Sequence, residues 1–305
     1  MLTVLMATRN GARILASVLE SFSQLDSPAS GWKLIVADNG STDQTRQIIE
    51  SFRSRLPLLY CPEPRQGKNF ALNTGLDLAE GDLIVFTDDD VFPRRDWLVR
   101  LREAADAQPA YAIFGGAVVP RWETAPPAWI RWVEAGPVYT LTDPALPEGP
   151  VVPDLIFGPN MAIRAAVFEK GVRFDTSIGP SGAQYAMGSE TEFTLRLASM
   201  GYKSWHVRGA VVEHFIRASQ LKRSWVLRRA IRYGRGQYRL HESKRNTRLL
   251  LGVPRYILHQ IGTQGIELAK AYLRLNPEQI FRTWWKFNFT RGKLMEARFI
   301  RREMA

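Results

Sequence analysis

The chain has 305 residues, of which 45% are hydrophobic, 23% charged and 11% aromatic. That is the profile of an ordinary globular protein, and it excludes a disordered chain, a collagen-like fibre and, with Cys61 as the only cysteine, a disulfide scaffold. The formal net charge of +11 divides unevenly: residues 1–216 carry 20 basic and 25 acidic side chains, whereas residues 217–305 carry 21 and 5, so a mildly acidic body precedes a strongly basic C-terminal part.

The first hundred residues alternate two periodicities. Leu2 to Thr8 is a continuous apolar run that reads as a buried strand; it is too short for a secretory h-region and has no basic segment before it. After the turn Arg9-Asn10-Gly11, apolar residues recur at helical spacing from Ile14 to Phe22. Trp32 to Ala37 reads as a second strand. The polar turn Asp38-Asn39-Gly40-Ser41-Thr42-Asp43 follows it and can cap a helix over Gln44 to Ser54. Leu56 to Cys61 is a third strand, Gly67 to Leu78 a third helix and Leu83 to Thr87 a fourth, wholly apolar strand. This order predicts an α/β protein with a doubly wound, parallel sheet and right-handed crossovers, whose ligands bind beyond the carboxyl ends of the strands. Both polar clusters, Asp38–Asp43 and Asp88–Asp90, fall at such ends.

Beyond Trp97 the pattern loosens. Ala112 to Pro120 reads as a strand. Residues 120–153, rich in Pro, Trp and Ala, read as an irregular excursion that can serve as a lid or acceptor-binding segment. Phe157 to Ala162 reads as a turn into a helix, Gly188 to Met200 as a helix, and Lys203–Arg208 and Ala210–Glu213 as two short strand-like pieces. Helical periodicity returns from Leu221. No run of about 18 apolar residues predicts a membrane-spanning helix, so the expected place is the cytoplasm, with the basic part held against a membrane face.

Chemistry concentrates in Asp88-Asp89-Asp90. Adjacent carboxylates repel, and a divalent cation relieves that cost; an all-oxygen set suits Mg²⁺ or Mn²⁺, completed by water and a diphosphate. Read alone, the triad is equally a solvated turn, and Asp38–Asp43 equally a helix cap with Asp43 as its capping side chain. Gly67-Lys68 fails as a Walker loop because Pro62 stands where its first glycine belongs and Asn69 where Ser or Thr is needed. Phe92 likewise breaks the Asp-x-Asp-x-Thr pattern of a haloacid-type phosphatase. Glu190 and Glu192 open a helix, where either can be a dipole partner or a general base. His214, after an apolar strand-like piece, is a metal-ligand candidate.

Taken in order, Ala7-Thr8-Arg9-Asn10, Asp38 to Asp43, Gly67-Lys68-Asn69-Phe70-Ala71-Leu72-Asn73, Phe86-Thr87-Asp88-Asp89-Asp90 and Glu190-Thr191-Glu192 with Arg196-Leu197 and Gly201-Tyr202 resemble the family 2 glycosyltransferases, which have the GT-A fold. The resemblance spans roughly residues 1–216 and implies a catalytic domain there, with a nucleotide-sugar-binding half over 1–110 and an acceptor-binding half over 111–216, followed by a basic helical region over 217–305. It implies that Thr8, Arg9, Asn10 and Asp38 hold the nucleotide, Asp38 accepting from the ring N–H of uracil. Lys68 would meet the nucleotide or its phosphates, Asp88 and Asp89 the donor sugar nucleotide, and Asp90, with Asp88 and His214, the Mn²⁺ or Mg²⁺. Glu190 aligns with the catalytic base, with Glu192 as its rival. The family's Glu-Asp pair is Ser189-Glu190 here, and Leu72 stands where an Arg is usual. The implied reaction is an inverting transfer from a nucleotide sugar to a saccharide or lipid-linked acceptor; the alternative is a non-catalytic nucleotide-sugar- or membrane-binding module that keeps the fold.

The C-terminal part interleaves charge with aromatics, as in Arg228 to Arg239 and in Trp284, Trp285, Phe287 and Phe289 beside Arg282, Lys286, Arg291 and Lys293. Basic amphipathic helices of this kind suit an anionic membrane interface, although their apolar faces can instead pack internally. No recognised nucleic-acid module accompanies the charge, so nucleic acid is not an expected partner.

Overall fold

The computed structural model describes residues 1–180, 185–243, 247–250 and 252–303; Lys244 and Arg245, counted above in the basic region, lie outside the described residues. The chain divides into two compact units, one of Met1–Arg121, Thr140–Ser177 and Ser189–Phe215, the other of Trp122–Tyr139, Ile178–Gly188 and Ile216–Ala305.

The first unit opens with β1 (Leu2–Thr8), α1 (Leu15–Phe22), β2 (Trp32–Asp38), α2 (Thr45–Ser51), β3 (Leu58–Pro62), α3 (Lys68–Leu76) and β4 (Leu83–Asp88). The four strands are parallel and lie in the order β3-β2-β1-β4, so the winding direction reverses between β1 and β4. β1, β4 and the second half of β2 are buried on both faces, as parallel sandwiched strands require, whereas β3 at the sheet edge buries only Cys61. β5 (Val91–Pro93) and α4 (Trp97–Ala107) follow, then β6 (Ile113–Trp122).

Two segments depart from expectation. Phe157 to Ala162 does not lead into a helix: a tight 3-10 turn over Gly158–Asn160 delivers β8 (Met161–Arg164), which inserts antiparallel between β4 and β6. Only then comes the short α6 (Ala165–Glu169). Two flanking strands offer Met161 to Ile163 a ladder on each side, and pairing of this kind overrides local helix preference. The turn is pinned by Asn160, fully buried, whose amide nitrogen donates to Ala117 O and Ala210 O and whose carbonyl accepts from Trp97 Nε1. After α7 (Ser189–Ser199), the two strand-like pieces form one strand, β9 (Ser204–Ile216). Exposed Arg208 and Gly209 interrupt its apolar pattern, but β7 (Gly149–Pro150) pairs near one end and β5 near the other, holding it continuous.

The second unit is helical. The first part of the Pro- and Trp-rich excursion, Trp122–Tyr139, belongs to it and forms a 3-10 turn at Ala128–Trp132 and α5 (Ala135–Tyr139), whereas residues 140–153 belong to the first unit. The aromatics of Trp122–Tyr139 are spent on packing: Tyr139 stacks on Trp225, and Trp129 and Trp132 face Phe281. α8 (Arg223–Gln237) continues into a π-turn over Tyr238–Glu242; a small hairpin, β10 (Leu249–Leu250) and β11 (Val253–Pro254), then leads to α9 (Arg255–Leu273) and α10 (Pro277–Glu303). α8 and α10 touch backbone to backbone. A Cβ added at Gly234 would lie 2.0 Å from Phe289 O, and one at Gly292 2.1 Å from Ile231 O. Part of the basic charge is therefore internal: fully buried Glu296 takes both Arg235 and Arg239, while Glu242 takes Lys293.

Candidate functional site

Parallel register brings the first cluster together. Thr8 lies opposite Asp38 and Ala7 opposite Asp88, so the ends of β2, β1 and β4 line up at the reversal point of the sheet, where open α/β sheets bind ligands. The turns there are cross-braced. Asn10, in a left-handed conformation (φ 52°), donates its N–H to Ser41 Oγ and accepts Thr42 N–H on its side chain. The Asp38 carboxylate accepts from Ser41 N–H at 3.0 Å and from the Tyr60 hydroxyl at 3.1 Å. Burial, with the Asp38 bond next, pushes the Tyr60 phenol upward, so it stays a donor. Asp43 accepts from Thr45 and from Ala12 N–H; these bonds outweigh burial and hold its carboxyl below the usual range. Arg9 is exposed at the mouth. Asn39, inside the polar turn but without an expected role, clamps the neighbouring loop by donating to Glu63 O and Arg65 O and accepting Gly67 N–H.

The three aspartates diverge. β4 ends at Asp88, and the turn feeds directly into β5 rather than into a helix. Asp89 points back to β1 and accepts the Thr8 hydroxyl at 2.6 Å; Gly11 makes room, since a Cβ there would lie 2.7 Å from the Thr8 hydroxyl oxygen. Asp88 accepts from Lys68 Nζ at 2.6 Å. Asp90 faces β9, its Oδ1 3.5 Å from His214 Nε2, with both side chains largely buried.

Lys68 is the hinge of the site. As the first residue of α3 it reaches Asp88 on one side and Glu190 Oε1, also at 2.6 Å, on the other, with its side chain 18% exposed. Burial alone would lower the ammonium's pKa; the charges of Asp88 and Glu190 outweigh it and raise it above the ordinary lysine value, so the group is fully charged. Glu190 and Glu192 are separated by this geometry. Residues two apart on a helix point about 200° apart. Glu190 turns to Lys68, whereas Glu192 is held by Arg196 one turn on, at 2.7 and 3.1 Å, and Arg196 also donates to Arg173 O.

Two further features position Glu190. Ser189, 2% exposed, donates its hydroxyl to Asn69 on α3, and Asn69 donates to Asp175 O. The start of α7 is thereby tied to the helix that carries Lys68. Gly158 lies against the Glu190 side chain, where a Cβ would come within 2.6 Å of its Cγ and 2.8 Å of Oε1. Neither residue carries a sequence signal for this role.

Among the described residues no three or more His, Cys, Asp or Glu side chains are gathered as a ready metal cage. The Asp90–His214 pair nevertheless fits a divalent cation that takes its remaining ligands from water and a diphosphate, since Mg²⁺-type sites use one or two protein carboxylates plus substrate phosphate. Asp88, its Oδ1 engaged by Lys68, stands at the same strand end.

The sequence profile of glycosyl transferase family 2 matches residues 3–171. The succinoglycan biosynthesis protein ExoM of Rhizobium meliloti is 29% identical over 233 residues, covering 75% of this chain and 72% of its own. Poly(ribitol-phosphate) beta-N-acetylglucosaminyltransferase TarS of Staphylococcus aureus is 31% identical over 98 residues, 32% of this chain and 17% of its own. Among solved structures, the mannosyltransferase PcManGT of Pyrobaculum calidifontis in complex with GDP-Man and Mn²⁺ superposes with a TM-score of 0.63 at 21% identity, over 98% of this chain and 87% of that one. S. aureus TarS 1–349 in complex with UDP-GlcNAc gives 0.55 at 16%, over 98% and 92%. The two superpositions carry the GT-A fold, and the profile, which covers more than half of the chain, carries the family: the protein belongs to glycosyl transferase family 2 and is a glycosyltransferase.

Proposed function

We propose that the enzyme transfers a hexosyl group, with inversion and dependence on a divalent metal, from a UDP-linked sugar to a saccharide or lipid-linked acceptor in polysaccharide or glycan biosynthesis. The observation that carries this reading is the convergence on Lys68 of the strand-end aspartate Asp88 and the helix-start carboxylate Glu190. Donor-site charge and candidate base share one ammonium. Thr8, Arg9, Asn10 and Asp38 would hold the nucleoside, Asp38 accepting a ring N–H beside the Tyr60 hydroxyl. Lys68 would turn its charge to the diphosphate, while Asp88 would lie near the ribose and Asp89 beside it in the nucleotide-sugar site. Asp90 and His214, with Asp88 close by, would hold Mn²⁺ or Mg²⁺, which when bound supplies positive charge for the diphosphate leaving group.

Glu190 accepts the proton of the acceptor hydroxyl as that oxygen attacks the anomeric carbon from the face opposite the diphosphate. The new C–O bond forms as the bond to the diphosphate breaks, the nucleoside diphosphate departs with the electron pair, and the anomeric configuration inverts. General-base assistance of this kind is worth about 10²–10⁴ in rate. The basic helical region over 217–305 would hold the enzyme on an anionic, cytoplasmic membrane face; among the described residues no helix is long and apolar enough to cross a membrane. ExoM and PcManGT support the biosynthetic and nucleotide-sugar parts of the reading. A panel of UDP- and GDP-sugars, with and without Mn²⁺ or Mg²⁺, scored for hydrolysis and thermal stabilisation, tests it. A UDP-sugar responding only with metal is the expected result, and response to none of the UDP-sugars would overturn the nucleoside role of Asp38.

A further inference from the structure

The turn between α9 and α10 displays apolar side chains that the fold does not use. Leu273 is 85% exposed and Leu275 82%; Ile266, about two turns earlier on α9, is 60% exposed. The turn itself is well built. Arg274 N–H and Leu275 N–H return to Lys270 O and Tyr272 O, and Asn276 caps α10 by accepting Gln279 N–H. Pro277 then starts that helix, where its fixed φ is preorganised.

Leu275 occupies the left-handed position of this turn, with φ 50°. That position belongs by preference to glycine or asparagine. A branched apolar residue there costs backbone energy and, at this exposure, recovers almost nothing by burial within the chain. The charges beside it are mostly positive: exposed Lys270 and Arg274 bracket Leu273, and exposed Lys286 and Arg282, the latter paired with Glu278, follow on α10, against Glu267 on α9. The surrounding region carries 21 basic and 5 acidic residues. Exposed leucines at a turn, with long-chain cations beside them in the chain whose stems can follow the apolar surface while their charges reach lipid phosphates, suit an anionic bilayer.

We propose that the α9–α10 turn is the insertion point for an anionic lipid bilayer, Leu273 and Leu275 entering the acyl boundary while Lys270 and Arg274 meet lipid phosphates. This rests on, and localises, the membrane reading of residues 217–305.

The test is flotation of the full chain with vesicles of phosphatidylcholine alone or with about a third phosphatidylglycerol. The comparison is between the parent and the double variant Leu273→Ser/Leu275→Asn. Asparagine suits the left-handed backbone, so the variant keeps its thermal midpoint and its donor hydrolysis. Each leucine withdrawn from hydrocarbon should weaken partitioning about tenfold or more, and Lys270→Gln/Arg274→Gln should remove most of the preference for anionic vesicles. Vesicle binding that is unchanged in the leucine variant overturns the insertion point while leaving the broader membrane reading intact. Failure of the parent to bind any vesicle overturns both. A lipid-free parent dimer that becomes monomeric in the leucine variant, seen by sedimentation velocity, would assign the tip to a second copy of the chain and overturn the proposal as well.

Discussion

Glu190→Gln isolates the proton-transfer role from the structural one. The amide keeps the size of the side chain and its fit against Gly158, but it cannot take a proton from an acceptor hydroxyl. Turnover should therefore fall by about 10²–10⁴, an increase of about 3–5 kcal/mol in the activation barrier. The structural cost is much smaller. Lys68 loses one of its two carboxylates but keeps Asp88 at 2.6 Å, and all three side chains are only about a fifth exposed. A partly buried ammonium that retains one partner should cost about 1–2 kcal/mol in stability, between the values for exposed and fully buried pairs. Donor affinity should be retained or slightly increased, because Lys68 is then freer to meet a diphosphate. The assay is steady-state transfer with a responsive nucleotide sugar, run beside calorimetric donor binding and thermal unfolding. Glu192→Gln is the control. It breaks an i,i+4 pair with Arg196, worth about 0.5 kcal/mol, and should leave turnover within a few-fold. Near-normal turnover of the Glu190 variant, or a collapse confined to the Glu192 variant, would refute the assignment.

Asp90→Asn should abolish metal-dependent donor binding with little effect on folding, and an unchanged Mn²⁺ titration by calorimetry in the presence of UDP would remove Asp90 from the cation seat. Gly158→Ala puts a Cβ 2.6 Å from Glu190 Cγ on a backbone that accepts alanine; displacement of the base should lower kcat about tenfold or more while donor KM holds, and equal losses in both would mark a general packing defect instead. Glu63 supplies a pH test: Arg65 above all, against burial and with help from Thr74, holds its carboxyl down to about 2. Because the folded pKa lies below the unfolded value of 4.5, the stabilisation is present above about pH 4.5 and is lost as pH falls towards 2, and Glu63→Gln should flatten the acid limb of the stability curve by up to about 3 kcal/mol. An identical acid limb in parent and variant would refute that coupling.

The strands and the polar clusters at their carboxyl ends were legible because their information is local. An apolar run ending in polar residues is a buried parallel strand with its ligand end exposed, and β1, β2 and β4 follow that rule to within a residue. β8 was not legible, because a four-residue apolar segment becomes a strand only when β4 and β6 stand on either side of it. The pairing of Lys68 with Glu190 was hidden for the same reason, since 122 residues separate them and neither residue type announces the other. A reason to prefer Glu190 over Glu192 as the candidate base was, however, available from the chain alone. Arg196 follows Glu192 by four residues, the spacing and order that form a helical ion pair, and a carboxylate already committed to its own helix is the poorer base. Glu190 has no cation at three or four residues on either side, so its counter-charge had to come from elsewhere in the fold. A carboxylate that opens a helix with no cation three or four residues away draws its counter-charge from the tertiary structure, and here that is the lysine that also holds the strand-end aspartate Asp88.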